Sequence, residues 1–439
     1  MMYGIAVFGC GYVGLVTAAC LSNLGHHVVC FDTEQMRVRD LQLGRLPFYE
    51  PDLEPLIAQG RERGLLHFAA SAGEALADAD VAFIAVGTPT GPTGEADLTY
   101  VRQCVLDISA HAARPLILVN KSTVPVETAD YVQRLIERHA PDRTRFTVAS
   151  NPEFLREGSA VHDFMHPDRI VIGCADTRAA KTLEAIYAPL AAPTFIVDVH
   201  TAEMIKYAAN AFLATKISFI NEIANLCAAV DADVDGVIAG IAADARIGRS
   251  YLDPGLGFGG SCLPKDVAAL ASVARKHAIE PTMLDATLAV NRRQVAHAVR
   301  LIEDALGDLF DRRIAVAGVA FKAGTDDIRE SPALVLVEAL LTRGARVTIY
   351  DAHALARARV VFEDRVRYAE SIYEAAAGAD ALAIANDDPS CTHASWPRVA
   401  AALAQPFLID LRNKTDRQEL QNAGLRYTGV GRAALPVAS

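Results

Sequence analysis

Residues 4–9 form a short apolar run that ends at Gly9-Cys10-Gly11-Tyr12-Val13-Gly14, and the helical pattern Leu15–Leu24 follows. A second apolar run, His27–Phe31, ends on Asp32. Strand, glycine loop, helix, strand and acid in this order make a dinucleotide-binding βαβ unit, which commits the start of the chain to a parallel, doubly wound sheet. Gly9 permits the tight turn, Gly11 admits a pyrophosphate to the backbone, and Gly14 lets helix and strand pack closely, with Val13 in the same loop. Asp32 can accept hydrogen bonds from both ribose hydroxyls and repels a 2′-phosphate, so NAD is expected rather than NADP. Arg37, just beyond, either touches the adenosine end or is a solvated surface arginine.

The alternation continues downstream. Val81–Val86 is a buried-strand pattern ending at Gly87-Thr88-Pro89-Thr90, Asp97–Ala112 a helix, and Leu116–Val119 a strand ending at Lys121-Ser122-Thr123. Hydroxyls at that edge can meet cofactor or substrate, and Ser122 can equally cap a helix over Glu127–Arg138. After the strand pattern Phe146–Ala149, Asn151 is placed to cap a short helix with Pro152 at its first position. Glu153 and Glu157 would then share one face. They would either complement the helix dipole or, facing a cleft, activate water or bind sugar hydroxyls. Arg169–Ile172 reads as a strand and Pro189–Pro193 as a loop.

From Thr201 the period becomes helical through Val230 with few breakers, a long spine on which Lys206 and Asn210 lie four apart on one face. A solvated lysine is the plainer alternative there. Further on, Gly257-Phe258-Gly259-Gly260-Ser261-Cys262-Leu263-Pro264-Lys265-Asp266 runs into the helical pattern Val267–Lys276. Unpaired N–H groups, the helix dipole and Lys265 all favour a thiolate, so Cys262 is expected to have a depressed pKa, with Asp266 one turn on. Glycines 257, 259 and 260 would leave a substrate access to the backbone. A buried structural cysteine behind a flexible turn is the simpler alternative. Helical patterns persist to about Leu306. A second βα alternation follows: Arg313–Val319, helix Pro332–Arg343, then strands Arg346–Tyr350, Ala381–Ala385 and Phe407–Leu411.

A chain of 439 residues is too long for one ordinary core. The fold expected is α/β: two doubly wound Rossmann-like domains, 1–200 and 306–439, joined by a central helical domain, 201–305, with the spine helix. A net charge of −11 disfavours a nucleic-acid surface. No apolar run approaches a bilayer span, and no basic, cleavable segment precedes the first strand. The eight cysteines are scattered with no CxxC pair, so neither a metal site nor a disulfide framework is indicated. A cytoplasmic, reduced protein without nucleic-acid or membrane partners is the expectation.

Two nucleotide-type sheets, a spine helix and an activated cysteine suggest a substrate that itself carries a nucleotide and is oxidised through a covalent adduct. Across nearly its whole length the chain resembles the UDP-glucose and GDP-mannose dehydrogenases. The resemblance rests on residues 94–101, 120–126, 151–158, 202–221, 246–248, 257–266 and 320–331. It implies a UDP-hexose, UDP-glucose by preference, oxidised at C6 in two stages by two NAD molecules in turn. Cys262 matches the nucleophile that captures the aldehyde as a thiohemiacetal and passes through a thioester. Lys206 matches the donor to the C6 oxygen, Asn210 and Asp266 its water-holding or polarising neighbours, and Glu153 the base for hydrolysis. Thr123 and Glu157 match positions near water and cofactor. Lys265 and Arg329, with Thr88, fall at cofactor positions. Phe154, Leu155, Tyr251, Gly255, Gly259, Lys322 and Arg412 fall at substrate positions. Arg246 matches an arginine that reaches a substrate across a dimer interface, so at least a homodimer is implied.

Leu263, residues 323–327, Asp253 and Glu127 depart from the UDP-glucose pattern, the first two toward the GDP-mannose branch. Residues 120–126, 211–216 and 246–248 match the UDP-glucose branch better. Two alternatives stay open: the same chemistry on GDP-mannose or a UDP-N-acetylhexosamine, and a non-catalytic NAD-binding regulatory protein.

Overall fold

A computed structural model describes residues 1–91 and 94–432. Among these the chain forms two compact units, Met1–Ala209 with Ala269–Ile279, and Asn210–Ala268 with the residues from Glu280 onward.

The first unit is built on an eight-stranded sheet of β1 (Gly4–Phe8), β2 (His27–Phe31), β3 (Leu66–Phe68), β4 (Val81–Ile84), β5 (Leu116–Asn120), β6 (Phe146–Ser150), β7 (Ile170–Gly173) and β8 (Thr194–Val197), in the spatial order 3-2-1-4-5-6-7-8. β1 lies between β2 and β4 in parallel register, Val7 opposite both Cys30 and Phe83. β4 is buried along its whole length, as a strand covered by helices on both faces must be. Helix Tyr12–Asn23 is buried over nearly all its residues, which is why it reads as uniformly apolar rather than amphipathic. β7 meets β6 antiparallel, through Ser150 opposite Gly173, and β8 runs parallel to β7. A four-residue buried run carries no signal of direction, so this reversal is invisible in the sequence. Part of the expected loop at Pro189–Pro193 is a 3₁₀ turn, Ala188–Leu190.

The second unit holds a six-stranded parallel sheet of β9 (Arg313–Ala317), β10 (Arg346–Tyr350), β11 (Arg367–Ala369), β12 (Ala381–Ile384), β13 (Phe407–Asp410) and β14 (Arg426–Gly429), in the order 11-10-9-12-13-14. In its own count this is 3-2-1-4-5-6, the doubly wound dinucleotide-type order. The turn chemistry of the first unit recurs. Gly318, at φ +89°, follows β9, and a Cβ there would lie 2.1 Å from Asn386 Cβ. Asp351, at the end of β10, accepts the N–H groups of Val319 and Ala320 at 2.7 and 2.9 Å. This sheet shares one core with helix Thr282–Leu306: Val299 and Ile302 pack with Ile314, Val316 and Leu336. The long helix spans Val199–Ala229, two residues earlier at its start than its pattern suggests. No helix among the described residues is long and apolar enough to cross a membrane.

Candidate active site

The glycine loop of the first unit fits a dinucleotide. Gly9 adopts φ +103°, and a Cβ on it would meet the Ala85 carbonyl oxygen at 2.5 Å. A Cβ on Gly14 would lie 1.8 Å from the Gly9 oxygen, so helix and strand can pack this closely only with glycine. At Gly11 the same test meets nothing within 4 Å, and helix Tyr12–Asn23, with Val13 in its first turn, begins there without a side-chain cap. Open space beside uncapped N–H groups is what a pyrophosphate needs. Asp32 is nearly buried. Its Oδ2 accepts from Cys10 N at 2.7 Å and Arg37 Nη1 at 3.0 Å, and Oδ1 accepts from Glu34 N at 2.9 Å. An ionised carboxylate offers about four lone-pair sites, so acceptor capacity remains on Oδ1 for ribose. Arg37 also pairs with Glu34 at 2.5 Å, which places it on the acid rather than free in solvent.

The same unit gathers the candidates of the β5 and β6 edges. Thr88 Oγ1 donates to the Thr123 carbonyl at 2.8 Å, and Thr123 Oγ1 lies 3.5 Å from Glu153 Oε1. Lys206 Nζ sits 3.0 Å from the same oxygen, and both side chains are buried. The Phe154 ring covers the ammonium at 5.5 Å and carries Arg169 at 3.8 Å on its face. Burial pushes the Glu153 carboxyl up. The charge of Lys206, the Leu155 N–H bond at 2.6 Å and the charge of Lys121 outweigh it, leaving Glu153 below the usual carboxylate range.

Lys121 is itself buried, which lowers it to about 8. It donates to Asn151 Oδ1 at 2.9 Å and lies 3.4 Å from the Tyr187 hydroxyl. Asn151 therefore caps no helix: its amide donates to the Val171 carbonyl at 2.7 Å, and the next helix starts only at Ala160. Residues 151–156 are irregular because the Glu153 side chain binds the N–H of Leu155, two residues ahead. Glu153 and Glu157 thus share no helix face; Glu153 is buried and Glu157 half-buried. Ser122 does not cap a helix either: its hydroxyl donates to the Val86 carbonyl at 2.6 Å, and the helix that follows starts at Thr128 with Glu127 at its cap position.

The second unit holds the glycine-rich loop that carries Cys262. The helix spans Leu263–Lys276, and Asp266 N donates to the Cys262 carbonyl at 2.8 Å, so Cys262 is the residue before the first turn rather than within it. Of the eight cysteines seven are buried and Cys262 is half-buried. Asp266 is fully buried, with Oδ1 2.6 Å from Lys265 Nζ and Oδ2 accepting from Asn210 at 2.6 Å.

Each loop glycine stands close against protein neighbours. A Cβ would lie 2.4 Å from Asn291 Oδ1 at Gly257, 2.2 Å from the Glu330 oxygen at Gly259 and 2.5 Å from the Phe321 ring at Gly260. A Cβ on Gly255 would lie 2.7 Å from the Leu411 oxygen, with Arg412 beside it. Arg412 lies 3.4 Å from Asp387, and its buried Nε has no hydrogen-bond partner among the described residues. Lys322 lies 5.8 Å from the Phe321 ring centroid, and Arg329 grips Asp327 through Nε and Nη2. Tyr251 takes the left-handed conformation at φ +64°. Arg246 is exposed, held by Asp244.

Sequence reasoning passed over Lys121, Asn120 and Glu203. Glu203 was findable: it lies three residues before Lys206, on the same helical face.

A fingerprint loop with an open helix start, an acid-ended second strand and a second sheet of the same order define an NAD-dependent dehydrogenase with two nucleotide-type sheets. Three sequence profiles of one family match in succession: its NAD binding domain over residues 3–191, its central domain over 200–293 and its UDP binding domain over 315–417. The chain belongs to the UDP-glucose/GDP-mannose dehydrogenase family. It is 43% identical to the UDP-glucose 6-dehydrogenase TuaD of Bacillus subtilis, across 99% of this chain and 94% of that one. It is 44% identical to the UDP-glucose 6-dehydrogenase of Rhizobium meliloti, across 98% and 99%. A solved UDP-glucose dehydrogenase from Pyrobaculum islandicum superposes with a TM-score of 0.91 at 40% identity, covering 99% of this chain and 98% of that one.

Proposed function

We propose that the protein oxidises UDP-glucose at C6 to UDP-glucuronate in two successive steps, through a thiohemiacetal and a thioester on Cys262. The observation that carries the assignment is the setting of Cys262: the half-exposed thiol of the chain stands at a helix start, four residues from a fully buried aspartate. The N–H groups of that first turn favour its thiolate.

Bound NAD supplies the hydride acceptor at each oxidation, held by the Gly9–Gly14 loop and Asp32. Lys206 donates to the C6 oxygen and stabilises the charge that develops there. Its pairing with Glu153 fixes the ammonium before substrate arrives. Loss of the first hydride from C6 and of the C6 hydroxyl proton to water gives the aldehyde; the Cys262 thiolate adds to its carbon, and the alkoxide so formed takes a proton from water to give the thiohemiacetal. Loss of the second hydride and of that hydroxyl proton leaves the thioester. Glu153, kept ionised by its surroundings, takes a proton from the attacking water, the C–S bond breaks, and the thiolate leaves. Asn210 and Lys265 hold the Asp266 carboxylate in place, and Asp266 polarises the same oxygen or its water. Thr123 and Glu157 stand near the water and cofactor, with Thr88, Lys265 and Arg329 on the cofactor. The UDP-sugar is assigned to Phe154, Leu155, Tyr251, Gly255, Gly259, Lys322 and Arg412. Arg246, exposed at the surface, is assigned to the substrate of a second subunit.

The test is a panel of UDP-glucose, GDP-mannose and UDP-N-acetylhexosamines scored by NADH formation. UDP-glucose should give two NADH per sugar consumed. Preference for GDP-mannose would assign the protein to that branch, and NAD binding without NADH from any sugar would make it a non-catalytic binder.

A further inference from the structure

Beside the Glu153–Lys206 pair the first unit has a small cavity lined by Asn120, Ser122, Thr123, Ser150, Glu203 and Lys206, with room for about one water molecule. Two features of its wall demand a polar occupant. Asn120, 2% exposed, has neither amide atom hydrogen-bonded within the described residues. A buried carboxamide left so would cost about 1–3 kcal/mol per group. Glu203, 3% exposed, turns its carboxylate to the start of helix Thr128–His139. Oε2 accepts from Glu127 N and Oε1 from Ala129 N, both at 2.9 Å, and Ser150 Oγ lies 3.2 Å from Oε1. These bonds leave Oε2 with acceptor capacity. Glu203 and Lys206 are three residues apart on one helix and line the same cavity.

We propose that this cavity is a water site, and that the water, anchored by Asn120, bridges the Glu203 carboxylate to the Lys206 ammonium. Glu203 is thereby a positioning residue for Lys206 in the reaction proposed above, on which this role rests. The ammonium donates to the water, and the water donates to Glu203. Protonation of Glu203 removes that acceptor, so the water turns and the ammonium loses this anchor. Burial, opposed by the N–H and hydroxyl donors just named, raises Glu203 to about 7, and the exchange therefore falls in the neutral range. The charged groups around it are His200, one turn earlier on the same helix and bonded to Asp130, Lys206 one turn later and paired with Glu153, and Glu127, whose N–H it accepts.

Three measurements on the full-length protein test this. A crystal structure showing ordered water should place one within hydrogen-bond reach of Asn120, Glu203 and Lys206; a dry or collapsed cavity would overturn the proposal. With UDP-glucose and NAD, wild-type kcat should rise with pH through about 7. Glu203→Gln should flatten that limb and lower kcat at high pH about tenfold, with KM within about twofold. This substitution sets an amide against backbone N–H groups, so Asn120→Leu, which fills the cavity and leaves the Glu203 bonds intact, serves as the second variant. It should lower kcat in the same way without changing thermal stability by more than a few degrees. A pH limb retained by both variants, at wild-type kcat, would reduce Glu203 to a helix cap. If the water is present and no nucleotide sugar is turned over, the catalytic assignment fails while the water site stands.

Discussion

Replacing Lys206 by Ala would leave Glu153 ionised in a site where its side chain is only 4% exposed. What remains to it is the Leu155 N–H at 2.6 Å, Thr123 at the limit of bonding distance, and the charge of Lys121. Breaking one side of a buried pair costs roughly 3–5 kcal/mol. For a unit of about 200 residues that corresponds to a fall in Tm on the order of 10 °C in the transition containing it. The pH dependence identifies the cause. In the wild type the Glu153 carboxyl is held below its ordinary value, so its contribution is present above the unfolded pKa and is lost only as pH falls through the lower folded one. Without Lys206, burial dominates and the folded pKa rises above the unfolded one. The native state then binds the extra proton, and stability falls as pH rises from about 5 toward 8. Calorimetry across that range should show a steeper fall in Lys206→Ala than in the wild type, where Glu203, raised to about 7, already gives a slope of the same sign. Lys206→Ala/Glu153→Gln should recover most of the loss, because the buried carboxylate left without its ammonium partner is gone. Equal slopes in wild type and Lys206→Ala, or a double variant no more stable than the single one, would refute the coupling.

Two further outcomes are expected. Asp32→Ala should weaken NAD binding about 100-fold, from two charge-assisted ribose hydrogen bonds at about 1.5 kcal/mol each, and relax discrimination against NADP, as read by calorimetric titration with both cofactors. Unchanged discrimination would mean that Asp32 does not meet the ribose. Gly260→Ala should cost roughly 1–2 kcal/mol for its φ of +81° and drive a Cβ to 2.5 Å from Phe321. It should lower kcat with NAD affinity unchanged, and Phe321→Leu should restore part of the loss; a wild-type kcat would show that the loop tolerates the shift.

Much of the architecture was legible because period and punctuation agree. The Gly9–Gly14 loop, the acid after β2, the spine helix and the central strands of both sheets are each marked by local residues. What the sequence hides is set by distant partners. β11 and β14 are edge strands of three and four residues, too short to show a period. The direction of β7 depends on where its chain is delivered, and its own four residues say nothing of that. The failed helix at Asn151 is the clearest case. An Asn-Pro-Glu start has good capping chemistry, yet the asparagine is taken by Lys121 and Val171 and the glutamate by Leu155 and Lys206. Those long-range bonds outweigh one cap. The glycines before Cys262 stand out in the sequence, but their neighbours, Asn291, Glu330 and Phe321, do not. Glycine marks a close approach without saying what approaches.

The central claim is that the sugar becomes covalently attached to Cys262. Rapid quenching of the full-length protein during turnover of UDP-glucose, followed by peptide mass spectrometry, measures it directly. The predicted result is a UDP-hexuronyl adduct confined to the peptide carrying Cys262, absent from Cys262→Ala, which should also lose steady-state formation of UDP-glucuronate while still binding NAD. Turnover of that variant at a near-wild-type rate, with no adduct on any cysteine of the native protein, would contradict the account.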